Sequence, residues 1–296
     1  MPTHQPIRLD RRAFLQGSSL LLTAAGSSLT FAADAQADLR IALITDLHHA
    51  DKPAAGTRYY RETLGKLREA SDKFAGTPPD MVVELGDLID AAGDVETELR
   101  YLSTINEPFQ KISDDRHYVL GNHCVDTLTK SEFLGAVGQQ QSYYSFDRGD
   151  WHLVVLDACF TSADQPYQRK NFVWTDANIP KKELTWLADD LAANDKPTII
   201  FAHQRLDNAG NHMVRNAAEV RTILELSKNV QAVFQGHSHK NDYQQIKGIH
   251  YCTLVAMVEG TGADSNGYSV LKLLADGSLH LQGFRKQAEY SWSRYA

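Results

Sequence analysis

Short apolar runs alternate with longer amphipathic segments along most of the chain. Continuous apolar runs over Leu39–Thr45 and Met81–Leu85 predict buried strands. Between such runs, apolar residues recur at helical spacing; Leu184, Leu187 and Leu191 form one such stripe. The alternation indicates an α/β architecture in which helices cover a largely buried sheet.

The same pattern assigns the remaining elements. Strands are predicted over Leu39–Thr45, Met81–Leu85, Tyr118–Leu120, Tyr143–Phe146, Trp151–Leu156, Thr198–Phe201, Val230–Phe234, Tyr243–Ile246, His250–Ala256, Tyr268–Leu274 and Leu279–Phe284. Helices are predicted over Thr57–Phe74, Val95–Ile112, Thr129–Val137, Lys181–Ala193 and Val214–Ser227. Because the chain becomes rich in strands after Gly236, we expect an α/β (α+β) fold with a mixed sheet or two stacked sheets and outer helices.

The first 37 residues have the three parts of an export signal. Paired arginines in Arg11-Arg12-Ala13-Phe14-Leu15 resemble a twin-arginine signal, and an apolar stretch and Ala35-Gln36-Ala37 follow them. We expect cleavage after Ala37 or Ala33, with one domain over 38–296. Ser, Thr and Gly interrupt the apolar stretch, so it is a poor membrane span. The resemblance implies export by the twin-arginine machinery to the periplasm or the exterior; a retained tail or anchor is the alternative.

Composition and charge restrict the function. The chain is 43% hydrophobic and 23% charged, which is typical of a globular protein, and its net charge is −7. A nucleic-acid binder is expected to carry a basic excess, so we predict no nucleic-acid partner. A small phosphorylated substrate is compatible with this charge if bound metal ions dominate the local field. Cys124, Cys159 and Cys252 are an odd set without a disulfide pattern.

Residues that can bind metals follow five of the predicted strands. In chain order, the motifs are Asp46-Leu47-His48, Gly86-Asp87, Gly121-Asn122-His123, His203 and Gly236-His237-Ser238-His239. Ligands bind at the carboxyl ends of strands in open α/β sheets, so motifs that are distant in sequence can meet there. Carboxylate, imidazole and amide side chains suit divalent transition metals, and this number of ligands indicates two ions. Mn, Fe, Zn and Co fit about equally well.

The order of the motifs resembles the calcineurin-like metallophosphoesterase family, with its D-x-H, G-D-x-x-D, G-N-H-[D/E], single His and G-H-x-H. The resemblance covers about residues 39–240 and implies a four-layer αββα sandwich of two mixed sheets flanked by helices. It also implies two divalent metal ions. It assigns Asp46, His48 and His239 to one ion, Asn122, His203 and His237 to the second, and Asp87 to both.

One position departs from the family pattern. Cys124 stands where the family usually has an acid that orients the preceding histidine. Asp126 is the nearest acid in sequence and could substitute for it, and His123 remains the predicted catalytic residue. Arg58, Arg205 and His212 either hold a second phosphate or a base, or are solvated loop residues.

The resemblance implies hydrolysis of small phosphate mono- or diesters. In such chemistry a hydroxide shared by two metal ions attacks phosphorus in line with the leaving oxygen. The whole chain is similar to a bacterial subgroup related to manganese-dependent ADP-ribose/CDP-alcohol diphosphatases, so a pyrophosphatase of nucleotide-sugar or nucleotide-alcohol substrates is the alternative. A non-enzymatic metal-binding scaffold is disfavoured because all seven ligand positions are filled.

Overall fold

Two six-stranded sheets organise the part of the chain that the structure, a computed structural model, describes: residues 37–207 and 210–293. The strands are β1 Ala37–Ile44, β2 Met81–Glu84, β3 Arg116–Tyr118, β4 Tyr144–Arg148, β5 Trp151–Val155, β6 Thr198–Phe201, β7 Val230–Gln235, β8 Asp242–Ile246, β9 Ile249–Thr253, β10 Gly267–Leu274, β11 Leu279–Arg285 and β12 Tyr290–Trp292. The helices are α1 Thr63–Ala75, α2 Val95–Phe109, α3 Lys130–Val137, α4 Lys181–Ala192 and α5 Ala217–Ser227. The predicted signal lies outside the described residues.

Each sheet mixes parallel and antiparallel pairs. The first has the order β12-β11-β10-β1-β2-β3, and the second β4-β5-β6-β7-β9-β8. Strands β1, β2 and β3 run parallel, as do β5, β6, β7 and β9. Their carboxyl ends therefore bring the loops after β1, β2, β6 and β7 to the ends of the two sheets.

Three apolar layers hold the sheets and helices together. Alternate residues of β1 point to opposite faces: Ile41 and Leu43 pack between the two sheets, whereas Ala42 and Ile44 pack on the helix side. Helices α1, α2 and α3 cover the first sheet, and α4 and α5 cover the second. This is the predicted four-layer αββα sandwich. Since residues 41–44 of β1 are buried on both faces, this part of the strand is a continuous apolar run.

Local sequence signals place the ends of two helices. Asp94 accepts a hydrogen bond from the Thr97 amide at the start of α2. Thr129 and Glu132 form a capping box at the start of α3, where each side chain binds the other residue's backbone amide. Two glycine-containing turns, Arg148-Gly149-Asp150 and Asp276-Gly277, connect the antiparallel pairs β4–β5 and β10–β11.

The predicted start of the first helix is wrong. α1 begins at Thr63 rather than at Thr57, because the preceding residues pair with a distant segment. The Tyr59 amide donates to the Val258 carbonyl at 2.9 Å, and Arg58 forms a bridge with Glu259. Strand β12 was not predicted, because three residues are too short to show a period.

The three cysteines, which all lie in the described part of the chain, are buried and form no disulfide bond. Cys159 and Cys252 pack among apolar side chains of the core. Within residues 37–207 and 210–293, no helix combines the length and the apolar character needed to cross a membrane.

Candidate active site

The first cluster of motif residues joins the loop after β1 to the loop after β7. The Nε2 atoms of His48 and His239 lie 3.1 Å apart. Asp46 Oδ1 lies 3.6 Å from His48 Nε2 and 3.4 Å from His239 Nε2. These three side chains are the set predicted for one ion, and their possible ligand atoms lie within 4.8 Å of one another.

The second cluster joins the loops after β2, β6 and β7. Asp87 Oδ2 lies 3.1 Å from His203 Nε2, which is 3.2 Å from His237 Nδ1. Asn122, predicted for the same ion, is 1% exposed, and its Oδ1 is buried without a hydrogen-bond partner among the described residues. The structure therefore gathers Asp87, His203 and His237 at one buried location, and Asn122 lies between Gly121 and His123, which both adjoin Asp87.

Asp87 lies between the two clusters. Its Oδ2 is 3.5 Å from His48 Nε2 in the first cluster and 3.1 Å from His203 Nε2 in the second. Its other oxygen, Oδ1, accepts a hydrogen bond from the His123 amide at 2.7 Å. The amide fixes the carboxylate so that one oxygen faces both clusters, as the predicted bridge requires.

The geometry fits divalent ions. Two imidazole nitrogens that bind one ion at about 2.1 Å are roughly 3.0–3.4 Å apart, and both imidazole pairs here meet that range. Asp46 Oδ1 and Asn122 Oδ1 are buried and have no hydrogen-bond partner within the described chain. Because such atoms are costly to leave unpaired, they favour a metal as their partner.

The backbone is strained at the motif residues. Asp46, His48, Asp87, His237 and His239 all have positive φ angles, between 45° and 69°. This left-handed region is unfavourable for residues other than glycine and is concentrated at functional sites. The strained turns aim the side chains of both clusters at the ends of the sheets.

The motif glycines are required by close contacts. A Cβ atom at Gly121 would lie 2.2 Å from Asp87 Oδ1, and one at Gly236 would lie 2.5 Å from Asp46 Oδ2. At Gly86, which has a φ of 102°, it would lie 2.4 Å from the His203 ring. Any larger residue would displace a predicted metal ligand.

Hydrogen bonds orient the predicted ligands. Asp46 Oδ2 accepts from the Thr45 hydroxyl at 2.7 Å and from the His237 amide at 3.0 Å, which leaves Oδ1 facing the first cluster. His203 Nδ1 donates to the Leu85 carbonyl at 2.8 Å, so Nε2 is the nitrogen available to an ion. These contacts fix ring orientation before any ion binds.

Asp90, rather than Asp126, contacts His123. His123 Nδ1 donates to Asp90 Oδ1 at 2.9 Å. Asp90 is the last residue of the G-D-x-x-D motif, three positions after Asp87, and sequence reasoning gave it no role although the motif pointed to it. Burial lowers the pKa of His123, but Asp87 and Asp90 outweigh this effect and raise it above the ordinary value.

Glu259 is a second residue that sequence reasoning missed. Its Oε1 accepts a hydrogen bond from His239 Nδ1 at 2.6 Å, which directs His239 Nε2 towards the first cluster. Glu259 reaches this position because the Met257 and Val258 amides donate to the Thr45 and Asp46 carbonyls. No motif precedes Glu259, so its role depends on tertiary pairing alone.

The clusters attract positive charge. Burial lowers the pKa of His239, but the Asp46 carboxylate raises it to about 9. Burial and the neighbouring His203 lower the pKa of His237 to about 3, so that this imidazole is neutral, the form that binds metals. Carboxylates therefore favour a cation in the first cluster, and His237 offers a neutral donor in the second.

The sequence suggested three residues as possible contacts for a second phosphate or a base. Two of them lie near the clusters, and the third is buried in ion pairs. Arg58 interacts electrostatically with His123 and Glu259, at the edge of the first cluster. The His212 ring lies 5.6 Å from that of His237. Arg205 is 5% exposed and binds Asp207, Asp242 and Ser238, so it holds the loop between His237 and His239 rather than facing a substrate.

Two buried metal-ligand clusters that share a carboxylate at the ends of two stacked sheets define a metal-dependent phosphoester hydrolase. The sequence model of the calcineurin-like phosphoesterase family matches residues 39–241. The chain belongs to this family. The match covers all five motifs, from Asp46 to His239.

Similar proteins have related names. A manganese-dependent ADP-ribose/CDP-alcohol diphosphatase of Oryza sativa subsp. japonica is 25% identical over 272 residues, covering 75% of this chain and 85% of that protein. A 3',5'-cyclic adenosine monophosphate phosphodiesterase of Haemophilus influenzae is 22% identical over 248 residues, covering 78% and 82%. A dimetal phosphatase structure from Danio rerio superposes with a TM-score of 0.76 at 19% identity, over 87% of this chain and 99% of that one, and shares the fold.

Glu259→Gln should weaken metal binding in the first cluster about 10- to 100-fold, because an uncharged amide polarises His239 less than a carboxylate does. Calorimetric titration of the metal-free protein with Mn²⁺ measures this change. Glu289→Gln is the matched control, because Glu289 also contacts a histidine, His280, at 3.1 Å but lies outside the clusters. Equal Mn²⁺ affinity of wild type and Glu259→Gln would contradict the role of Glu259.

Proposed function

We propose that the protein hydrolyses small phosphate mono- or diesters with two divalent ions. The observation that supports this most strongly is the position of Asp87 Oδ2, within 3.5 Å of His48 Nε2 and 3.1 Å of His203 Nε2. Because one oxygen of Asp87 faces both clusters, this residue would help to hold two ions, which suits displacement at phosphorus. Asp46, His48 and His239 would hold one ion, and Asn122, His203 and His237 the other.

Bound in this way, the ions supply a lowered pKa for water and a positive field for the phosphoryl oxygens. The protein's own side chains would supply the proton for the leaving oxygen. His123 has Nδ1 bound by Asp90, which leaves Nε2 to donate a proton or hydrogen bond to the leaving oxygen. Asp90 stabilises the charged imidazole and fixes its orientation.

A diphosphate linkage is the second candidate. The diphosphatases of Oryza sativa and Arabidopsis thaliana are 25% and 24% identical to this chain over most of its length. Their names support a nucleotide-sugar or nucleotide-alcohol substrate whose bridging oxygen leaves. The cyclic nucleotide phosphodiesterase of Haemophilus influenzae instead supports a diester, so the bond that is cut must be measured.

Product analysis separates these functions. We expect the purified mature protein, stripped of metal and refilled with Mn²⁺, to hydrolyse at least one of p-nitrophenyl phosphate, bis-p-nitrophenyl phosphate and ADP-ribose. Cleavage of ADP-ribose to AMP and ribose 5-phosphate would assign the diphosphatase activity. No turnover of any of the three with two ions bound would contradict the proposal and favour a metal-binding scaffold.

His123→Ala should keep both ions and lower kcat about 10²- to 10⁴-fold, because the leaving oxygen loses its proton donor. Metal analysis and steady-state kinetics on the same preparation separate these two effects. His280→Ala is the control, since that imidazole contacts Glu289 away from the site. Unchanged turnover in His123→Ala would remove this residue from the reaction.

We also propose export through the twin-arginine pathway, with cleavage after Ala37 or Ala33. The proposal is supported by Arg11-Arg12-Ala13-Phe14-Leu15 and the Ala35-Gln36-Ala37 segment. Replacing both arginines by lysine keeps the charge and should abolish export, as cell fractionation would show. Normal export of that variant would contradict the proposal.

A further inference from the structure

A long segment without regular structure lies beside the second cluster. It connects β5, which ends at Val155, to α4, which begins at Lys181. Connections longer than about 12–15 residues are uncommon in compact domains and are usually functional. The metal motifs do not include this segment, and its composition is aromatic near the middle, in Asn171-Phe172-Val173-Trp174.

The aromatic side chains of this segment contact both sides of the candidate site. The Phe172 ring lies 6.2 Å from that of His123, the predicted proton donor. The Trp174 ring lies 6.0 Å from that of His237, a predicted metal ligand, and 5.2 Å from that of His212. These distances are within the range of aromatic pairs. The segment therefore forms a rim next to the reacting groups.

The rim exposes an apolar surface. The described residues include three exposed large hydrophobic side chains, and two of them are the neighbours Val173, 60% exposed, and Trp174, 43% exposed. Single exposed apolar residues are ordinary, but an indole that contacts a predicted metal ligand is well placed to meet a substrate. The indole lies against the rings of His237 and His212, and the residue is still 43% exposed.

Contacts on both sides hold the rim in place. The Lys170 amide donates to the Asp126 carbonyl at 2.6 Å, and Arg169 binds Glu132 at 2.6 Å. On the other side, the Arg215 amide donates to the Ala177 carbonyl at 2.8 Å. Phe172 also stacks on Tyr167, which is fully buried. Because these contacts order the segment, the Trp174 indole is preorganised. Ligand binding would therefore not have to meet the entropic cost of ordering it.

We propose that Trp174 is a stacking platform for the nucleobase of a nucleotide substrate. The inference rests on the proposed function, because the phosphate that accompanies the base would be held at the two clusters. Every nucleobase presents a flat π-face, and stacking on an aromatic side chain is tolerant of base identity. Adenine and cytosine would both be accepted, and a sugar phosphate without a base would bind more weakly.

Binding of AMP and of ribose 5-phosphate tests the platform, since the two ligands differ in the base alone. We expect the full-length mature protein, loaded with Mn²⁺, to bind AMP more tightly in calorimetric titrations. In Trp174→Ala, the ratio of the two affinities should fall roughly 5- to 100-fold, whereas Trp174→Phe should keep most of it. Val173→Ala is the matched control, because it removes exposed apolar surface next to the indole and leaves the ring.

Three outcomes would overturn the platform: equal binding of both ligands by wild type, no detectable binding of AMP, or an unchanged ratio in Trp174→Ala. Circular dichroism of each variant shows whether the fold is kept, and Trp174→Phe provides a second test that retains a ring. Failure of the proposed function gives a different result, in which wild type hydrolyses no phosphate ester while the difference between AMP and ribose 5-phosphate persists.

Discussion

The orientation of one carboxylate governs the geometry of the candidate site. Asp87 Oδ1 accepts the His123 amide at 2.7 Å, and this bond turns Oδ2 towards His48 and His203. The bond requires Gly121 beside it, because a Cβ atom there would lie 2.2 Å from Asp87 Oδ1. The amide of His123, the predicted proton donor, thus orients the carboxylate of Asp87, the predicted bridging residue.

The two stacked sheets bring together the loops that surround the Asp87 carboxylate. Parallel strands carry the loops of the first sheet and of the second to the same end of the sandwich, where the clusters meet. The cost is visible in the backbone, since Asp46, His48 and Asp87 hold positive φ angles. The apolar layer between the sheets, which includes Leu43 and Phe201, stabilises that strained arrangement from below.

The sequence predicted most of the site residues that lie in local motifs and missed the one that depends on long-range contacts. Local patterns alone led to the prediction of the seven ligands, because their motifs follow apolar runs. Asp90 was within reach as the last residue of one motif. Glu259 was not, because it depends on amide bonds from Met257 and Val258 to the loop after β1. A different contact of the same segment explains the later start of α1, because the Tyr59 amide donates to the Val258 carbonyl.

The sequence did not predict the aromatic rim formed by Phe172 and Trp174, because it lies in the irregular segment between β5 and α4. Phe172 and Trp174 have no periodicity and no motif, and contacts at Lys170 and Ala177 bring them to the site. Features that depend on tertiary anchoring of irregular chain have no local signature. By contrast, the four layers follow from strand and helix periods that the sequence displays directly.

Metal content of Asp87→Asn tests the central claim most directly. Wild type and variant, stripped and dialysed against Mn²⁺, would be compared by metal analysis, with circular dichroism to confirm that both are folded. The account predicts two ions per wild-type chain and loss of both from the variant, because a neutral amide replaces the oxygen shared by the clusters. Two tightly bound ions in folded Asp87→Asn would contradict it.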